Sequence, residues 1–250
     1  MRTVYFDIDD QTKELKDIIA KNKQEASRFH EKFEVSWIYH ENALEGVVLD
    51  VFDLKAALDH ASLEDGILIP VYQRIRNHKN AIEKVRKSAD TSTRMPTLTY
   101  IKDLHQVISY GLSNRQGGVY RKDIPIHRTY YHEILPPGRI SYQMNKLVKE
   151  MKTKGFRQFH PFMQAAEIHF RLMHIYPFDS ETGKVARLAM NYFILQAGYL
   201  PVIIPSMERQ HYYDALRVGP QVLHDLIVNC MEHTIALSLR LFEEGGYDII

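Results

Sequence analysis

Apolar residues along most of this chain recur at helical rather than alternating spacing, and that pattern predicts a mainly α-helical fold. Residues 10 to 35 are rich in Lys and Glu, with Leu15, Ile18, Ile19 and Phe29 forming a weak stripe, which predicts a solvated helix. A second element follows Trp37, Ile38, Tyr39 and His40 and ends at Gly46. The run VVLDVFDLKAAL leads into another helix, and residues 67 to 88 place Ile75, Ala81, Ile82 and Val85 on one face. Residues 89 to 97 are polar and contain Pro96, so they read as a connector. Thr97 is the expected N-cap, with Thr99 as second choice, of a helix through Leu104, Val107 and Ile108.

After Gly111 and Gly117-Gly118 the pattern changes. The stretch VYRKDIPIHRTYYHEIL is β-branched and aromatic and carries Pro125, which predicts a short edge hairpin around Tyr120 to Tyr131. Downstream, residues 140 to 153 read as helix. Pro161 is placed at N1 of a helix to about Ile175, since a proline there loses no needed N–H. Lys184 to Gln196 follow as helix, stopped by Gly198 and Pro201, and a last long helix covers roughly Leu223 to Glu244. The expected fold is therefore all-α and bundle-like with one hairpin. A boundary near residue 90 would separate an N-terminal helical region, 1–90, from a core domain, 91–250.

Composition narrows the classes of function. Lys+Arg number 32 and Asp+Glu 31, for a net charge of +1, so nothing favours a nucleic acid or an anionic membrane as partner. Cys230 is the only cysteine, so no internal disulfide can form. The first residues are acidic and lack an apolar core segment, and no run is long enough to span a bilayer, which together lead to the expectation of a cytoplasmic protein.

The candidate chemistry lies in YPFDSETGKVAR, Tyr176 to Arg187. It reads as a helix end, a tight loop and a new helix start. A helix N-terminus offers unpaired N–H groups and partial positive charge, an anion cradle. Lys184 lies in its first turn and Arg187 three residues on, so the two can hold phosphate from one face. Taken alone, a glycine before a helix is as consistent with a plain turn. The TGK string is not a phosphate-binding P-loop, because the earlier glycine and the preceding strand are missing.

HIYPFDSETGKVARLAMNYFILQAGYLPVII resembles the signature of the Fic (Fic/Doc, AMP-transferase) family, a His-Pro-Phe-x-Asp/Glu-Gly-Asn-Gly-Arg-x-x-Arg string leading into a buried helix. Pro177, Phe178, Gly183 and Arg187 match, and Leu188, Met190, Asn191 and Ala197-Gly198-Tyr199 continue the match. Gly118, Tyr120, Arg121 and Ile126 with Pro136-Pro137 resemble the family's flap, and Arg209, Tyr212, Tyr213, Ala215 and Leu216 another recurrent patch. Tyr39, Asn42, Ala43, Leu44, Glu45 and Gly46 resemble its inhibitory helix, with Asn77-His78 and Ala81 after it. The resemblance spans roughly residues 35 to 240.

It implies transfer of AMP from ATP, with Mg²⁺, to a protein hydroxyl, and a target peptide clamped by Tyr120, Arg121 and Ile126 of the flap through strand addition. It also implies a homodimer, for which the sequence carries no interface signature. Thr182, Gly183, Lys184 and Arg187 would line the nucleotide's phosphates, and Glu45, followed by Gly46, would pair with Arg187 to block productive binding.

Five chemical positions of the signature depart from it: Tyr176, Ser180, Glu181, Thr182 and Lys184. Tyr176 replaces the catalytic His; a phenol, with a pKa of about 10, is a poor base at neutral pH. Ser180 replaces the metal-binding acid, which leaves Asp179 or Ser180 as metal candidates, or Glu181 if the loop is reshaped. Glu181 replaces a glycine, bringing negative charge into a phosphate site and a Cβ that resists positive φ. Thr182 replaces Asn, and Lys184 keeps charge but loses the guanidinium fork. Glu41 stands where the inhibitory helix usually has Ser or Thr. His174 lies about 200° around the helix from Tyr176 and should point elsewhere, and His160 and His169 lack ligand spacing. The expectation is a divergent protein with impaired transfer. A rebuilt, active nucleotidyl- or phosphotransferase and a non-catalytic interaction module are the alternatives.

Overall fold

The computed structural model describes residues 5–58, 69–91, 95–112, 116–125 and 133–243. Ile126 and most of the expected hairpin lie outside them. The described residues form helices α1 (Phe6–Lys21), α2 (Lys23–Leu44), α3 (Val51–Leu58), α4 (Ile69–Thr91), α5 (Leu98–Ile108), α6 (Pro137–Met151), α7 (Lys154–Arg157), α8 (Pro161–Ile175), α9 (Thr182–Gln196), α10 (Arg209–Val218) and α11 (Pro220–Glu243). No strand occurs among them; residues 116–125 run as turns, bends and irregular chain.

Most helix boundaries follow local chemistry. Thr97 caps α5, its hydroxyl accepting from the Tyr100 N–H at 3.1 Å, and Pro161 opens α8. The N-terminal helices differ from the periodicity reading. A break falls at Asn22, in a non-helical conformation, and α2 then runs unbroken through residue 35 to Leu44. The short polar side chain of Asn22 bonds the Ile18 carbonyl at 2.9 Å, competing locally with the helix ladder.

The antiparallel pair α8 and α9 forms the centre. Helices α4 and α5 pack on α9, α11 and α6 on α8, and α1 and α10 on α11, while α2 crosses α3 and α4. Residues 182–194 of α9 are all buried. A helix enclosed on every side brings its polar positions inside, so each needs a partner within the protein. Asn191 finds one by pairing like a strand with Val202, donating to its carbonyl at 3.0 Å and accepting from its N–H at 2.7 Å. The other polar positions, Thr182, Lys184 and Arg187, stand at the N-terminal end and define the site.

Candidate functional site

Helix α8 ends where Tyr176 turns into the left-handed region, at φ 46°. The loop to α9 closes at Glu181, again left-handed at φ 57°. Two non-glycine residues with positive φ within six positions are uncommon and cost about 1–2 kcal/mol each. The loop therefore keeps a shape suited to glycine at position 181, although the residue there is glutamate.

What holds that shape is a set of tight local bonds. The Thr182 hydroxyl accepts from the Phe178 N–H at 3.2 Å and donates to the Phe178 carbonyl at 3.1 Å, closing the loop on itself. The Phe178 ring lies flat on His105, with centroids 3.9 Å apart. His105 Nδ1 accepts from the Gly118 N–H at 2.8 Å, which leaves Nε2–H to donate to the Ser180 carbonyl at 3.2 Å. Burial lowers the His105 pKa, consistent with a neutral ring serving as a bracket.

The flap segment is tied to the same loop through Arg121. Its N–H donates to the Pro177 carbonyl at 2.9 Å. Its guanidinium donates to the carbonyls of Tyr176 at 2.6 Å, Asp123 at 2.9 Å and Leu135. Only 2% of Arg121 is exposed, so its side chain anchors the segment from beneath. Tyr120 stands above it, with the Lys102 ammonium 4.4 Å from its ring centre. Between flap and loop lies a cavity of about 350 Å³ lined by His105, Tyr120, Lys122, Asp123, Asp179 and Ser180, among others. Sequence reasoning had not placed His105, Lys122 or Asp123 there.

Deeper, the two cations near the α9 N-terminus both face carboxylates. Lys184 is 2% exposed, and its Nζ lies 2.7 Å from Glu181 Oε2. Burial alone would raise the Glu181 pKa, but the Lys184 ammonium and its hydrogen bond, with Arg74, bring it below the ordinary carboxylate value. Arg187 is fully buried. Its Nε donates to Glu41 Oε2 at 2.6 Å, one Nη to Glu45 Oε1 at 2.8 Å, and the other Nη to the Tyr212 hydroxyl at 3.0 Å. Gly183 makes room for this, since a Cβ there would stand 2.1 Å from Glu45 Oε1. The chain of donors continues: Tyr212 gives its proton to His169 Nε2 at 3.0 Å, leaving His169 Nδ1–H facing Met190 Sδ at 3.3 Å.

The residues singled out from sequence thus fall into two groups. Thr182, Gly183, Lys184, Arg187 and Glu45 gather at the α9 N-terminus, with Gly46 following Glu45 in a left-handed turn at φ 83°. Asp179, Ser180 and Tyr120 line the outer cavity. Tyr176 is 8% exposed. Glu41 was noted only as a departure, yet it makes the shortest contact to Arg187. Its spacing of four from Glu45, which puts both carboxylates on one helix face, is the pattern that could have revealed it.

The donor set does not suit the cofactors implied by the resemblance. Lys184 and Arg187 already face carboxylates. Asp179 and Asp123 are the carboxylates on the cavity wall with Ser180, and no group of three acidic or histidine side chains suited to a metal occurs among the described residues. No described helix is long and apolar enough to cross a membrane.

The comparisons agree with this architecture. The Fic/DOC family model matches residues 96–194. The protein adenylyltransferase Fic of Aedes aegypti is 27% identical over 96% of this chain, and that of Drosophila mojavensis 28% identical over 81%. The chain spans about half the length of the first of these and 40% of the second. Among solved structures, a Fic domain containing signaling protein from Bacteroides thetaiotaomicron superposes with TM-score 0.78 at 19% identity, covering 96% of this chain and 99% of that one. Fic-1 from C. elegans superposes at 0.77 and 19% identity, covering 95% of this chain and 71% of that one. Residues 96–194 thus match the Fic/DOC family, relatives named protein adenylyltransferase Fic align along most of the chain, and the α-helical fold is shared with solved Fic proteins.

Proposed function

We propose that this chain is a divergent relative of the AMP transferases whose transfer activity is impaired, and whose phosphate cradle is filled by its own carboxylates. The observation that carries this reading is the pairing of both cradle cations. Lys184 meets Glu181 at 2.7 Å, and Arg187 meets Glu41 at 2.6 Å and Glu45 at 2.8 Å. Three carboxylates face two cations, so an incoming polyanion meets a local charge already balanced or negative. Displacing buried, hydrogen-bonded carboxylates also leaves them without partners, a large penalty. Glu181 stands in for a phosphate oxygen at the helix N-terminus.

The catalytic positions support the same reading. A general base must reach a target hydroxyl at about 2.6–3.2 Å and be able to take its proton. Tyr176 is buried at the turn between α8 and the loop, and its carbonyl is bound by Arg121. ATP would supply the AMP group in the related enzymes; here Lys184 and Arg187 are the residues that would face its phosphates if their carboxylates withdrew. The outer cavity beside Tyr120 is the surface on which a protein target would lie.

The test is incubation of the chain with α-labelled ATP and Mg²⁺, reading label on itself. The expected result is no incorporation by the native chain or by Tyr176→His alone, because Ser180 and Glu181 are unchanged in that variant. Robust labelling by either would show that the loop is competent as built and would overturn the proposal.

A further inference from the structure

We infer that Glu41, rather than Glu45, is the principal lock on Arg187, so that removing Glu45 alone leaves the guanidinium sequestered. The clamp itself is a statement about side-chain contacts. Its consequence for ligands rests on the proposed reading of Arg187 as a phosphate-binding group.

Three observations carry the ranking. The first is geometric. Glu41 Oε2 takes the Nε–H at 2.6 Å, and the Glu41 carbonyl also lies 3.5 Å from the Nη that serves Glu45. Glu45 holds that one Nη alone, at 2.8 Å. The second is solvation. The Glu41 side chain is 2% exposed and that of Glu45 is 21% exposed. Water can therefore replace much of what Glu45 offers but cannot easily reach the Glu41 contact, and the same charge separation counts for more where water is excluded. The third is mechanical. The last turn of α2 is pinned from outside by Arg209 Nε and the Tyr213 hydroxyl, which both donate to the Leu44 carbonyl, at 2.9 and 2.7 Å. Asn42, between the two glutamates, bonds the Ile38 carbonyl at 2.7 Å and faces His78 on α4. Glu41 stands inside this held turn, whereas Glu45 is the C-cap beside Gly46, where the helix has ended.

The arrangement is a two-carboxylate clamp. The guanidinium cannot lose its proton, and the surrounding carboxylates raise its pKa further against the opposing effect of burial. It therefore needs an anionic partner in the interior whether or not Glu45 is present, and Glu41 is already in place to supply one.

The experiment follows the Nε–H of Arg187 by hydrogen exchange in full-length protein labelled with ¹⁵N-arginine, comparing native, Glu41→Ala and Glu45→Ala chains. Slow exchange is expected in the native chain and within about threefold of it in Glu45→Ala, with at least tenfold acceleration in Glu41→Ala. Equal or greater acceleration in Glu45→Ala overturns the inference. If Glu41→Ala does not fold, Glu45→Ala decides alone: retained protection supports the inference and lost protection refutes it. ATP binding by calorimetry is then compared between Glu45→Gln and the Glu41→Gln/Glu45→Gln pair. At least tenfold tighter binding by the pair is expected, and equal tight binding by Glu45→Gln overturns the inference. If the exchange pattern holds and neither variant binds ATP, the clamp stands and the phosphate-cradle reading fails.

Discussion

Replacing Glu181 with glycine tests whether a carboxylate occupies an anion's place. Two opposing effects can be sized from the structure. Glycine adopts φ 57° without a Cβ clash, so the substitution relieves about 1 kcal/mol of backbone strain after the added freedom of the unfolded chain is counted. Against this, the Lys184 ammonium, 2% exposed and 2.7 Å from Glu181 Oε2, loses its nearest counter-charge. Orphaning a buried ion costs about 3–5 kcal/mol. The lower end applies, because the Glu181 side chain is 13% exposed and water can enter the space it leaves. The net expectation is destabilisation by about 2 kcal/mol, or about 4–8 °C in melting temperature for a chain of this size. The assay is thermal denaturation in chloride and in phosphate at matched ionic strength. Phosphate at 100 times its Kd would return about 2.7 kcal/mol, enough to restore the melting temperature. The native chain should show little difference between the two salts, its cradle being filled. A Glu181→Gly chain that melts at or above the native temperature in chloride, or whose loss phosphate does not recover, would refute the reasoning.

Other perturbations probe neighbouring contacts. Gly183→Ala should lower stability by about 1 kcal/mol or more in urea unfolding, although alanine favours helix by a similar amount, because its Cβ would stand 2.1 Å from Glu45 Oε1; a more stable variant would show that Glu45 moves aside at no cost. Thr182→Val should cost about 1–3 kcal/mol, since it orphans the buried Phe178 N–H and carbonyl, and an unchanged unfolding midpoint would contradict that. His78 is fully buried with Nε2 unpartnered, and burial, with Lys184 and Arg187 nearby, lowers its pKa well below the usual value. Its folded pKa lies below its unfolded value of about 6.5, so the unfolded state binds the extra proton as pH falls. The stability contribution is complete above that pH and declines below it, by at most about 1.4 kcal/mol per pH unit. Unfolding free energies at pH 7.5 and 5.5 should differ less in His78→Gln than in the native chain, and identical differences would rule out this role.

Helix periodicity and capping chemistry made much of the fold legible in the chain itself. Thr97, Pro161 and Gly198 mark helix ends through rules that act within a few residues, and the structure places helix boundaries beside all three. The break at Asn22 was not legible, because a Lys- and Glu-rich stretch with a weak apolar stripe favours neither one helix nor two.

The turn and helix start beside Lys184 were also implicit in the sequence, since both are local properties. What faces Arg187 there was not. Glu41 and Glu45 lie some 140 residues from Arg187, and only the crossing of α2 over the core brings them to it. Tyr212 arrives from α10, beyond the other side of the motif. The strained φ at Glu181 likewise depends on more than the local Thr182 bond: tertiary bonds from His105 and Arg121 help hold a glycine-shaped loop around a residue that would not choose it. Sequence determines which groups can carry charge and which segments coil. Burial decides which charges must meet, because an ion removed from water needs an opposite one close by, however far apart the two stand along the chain.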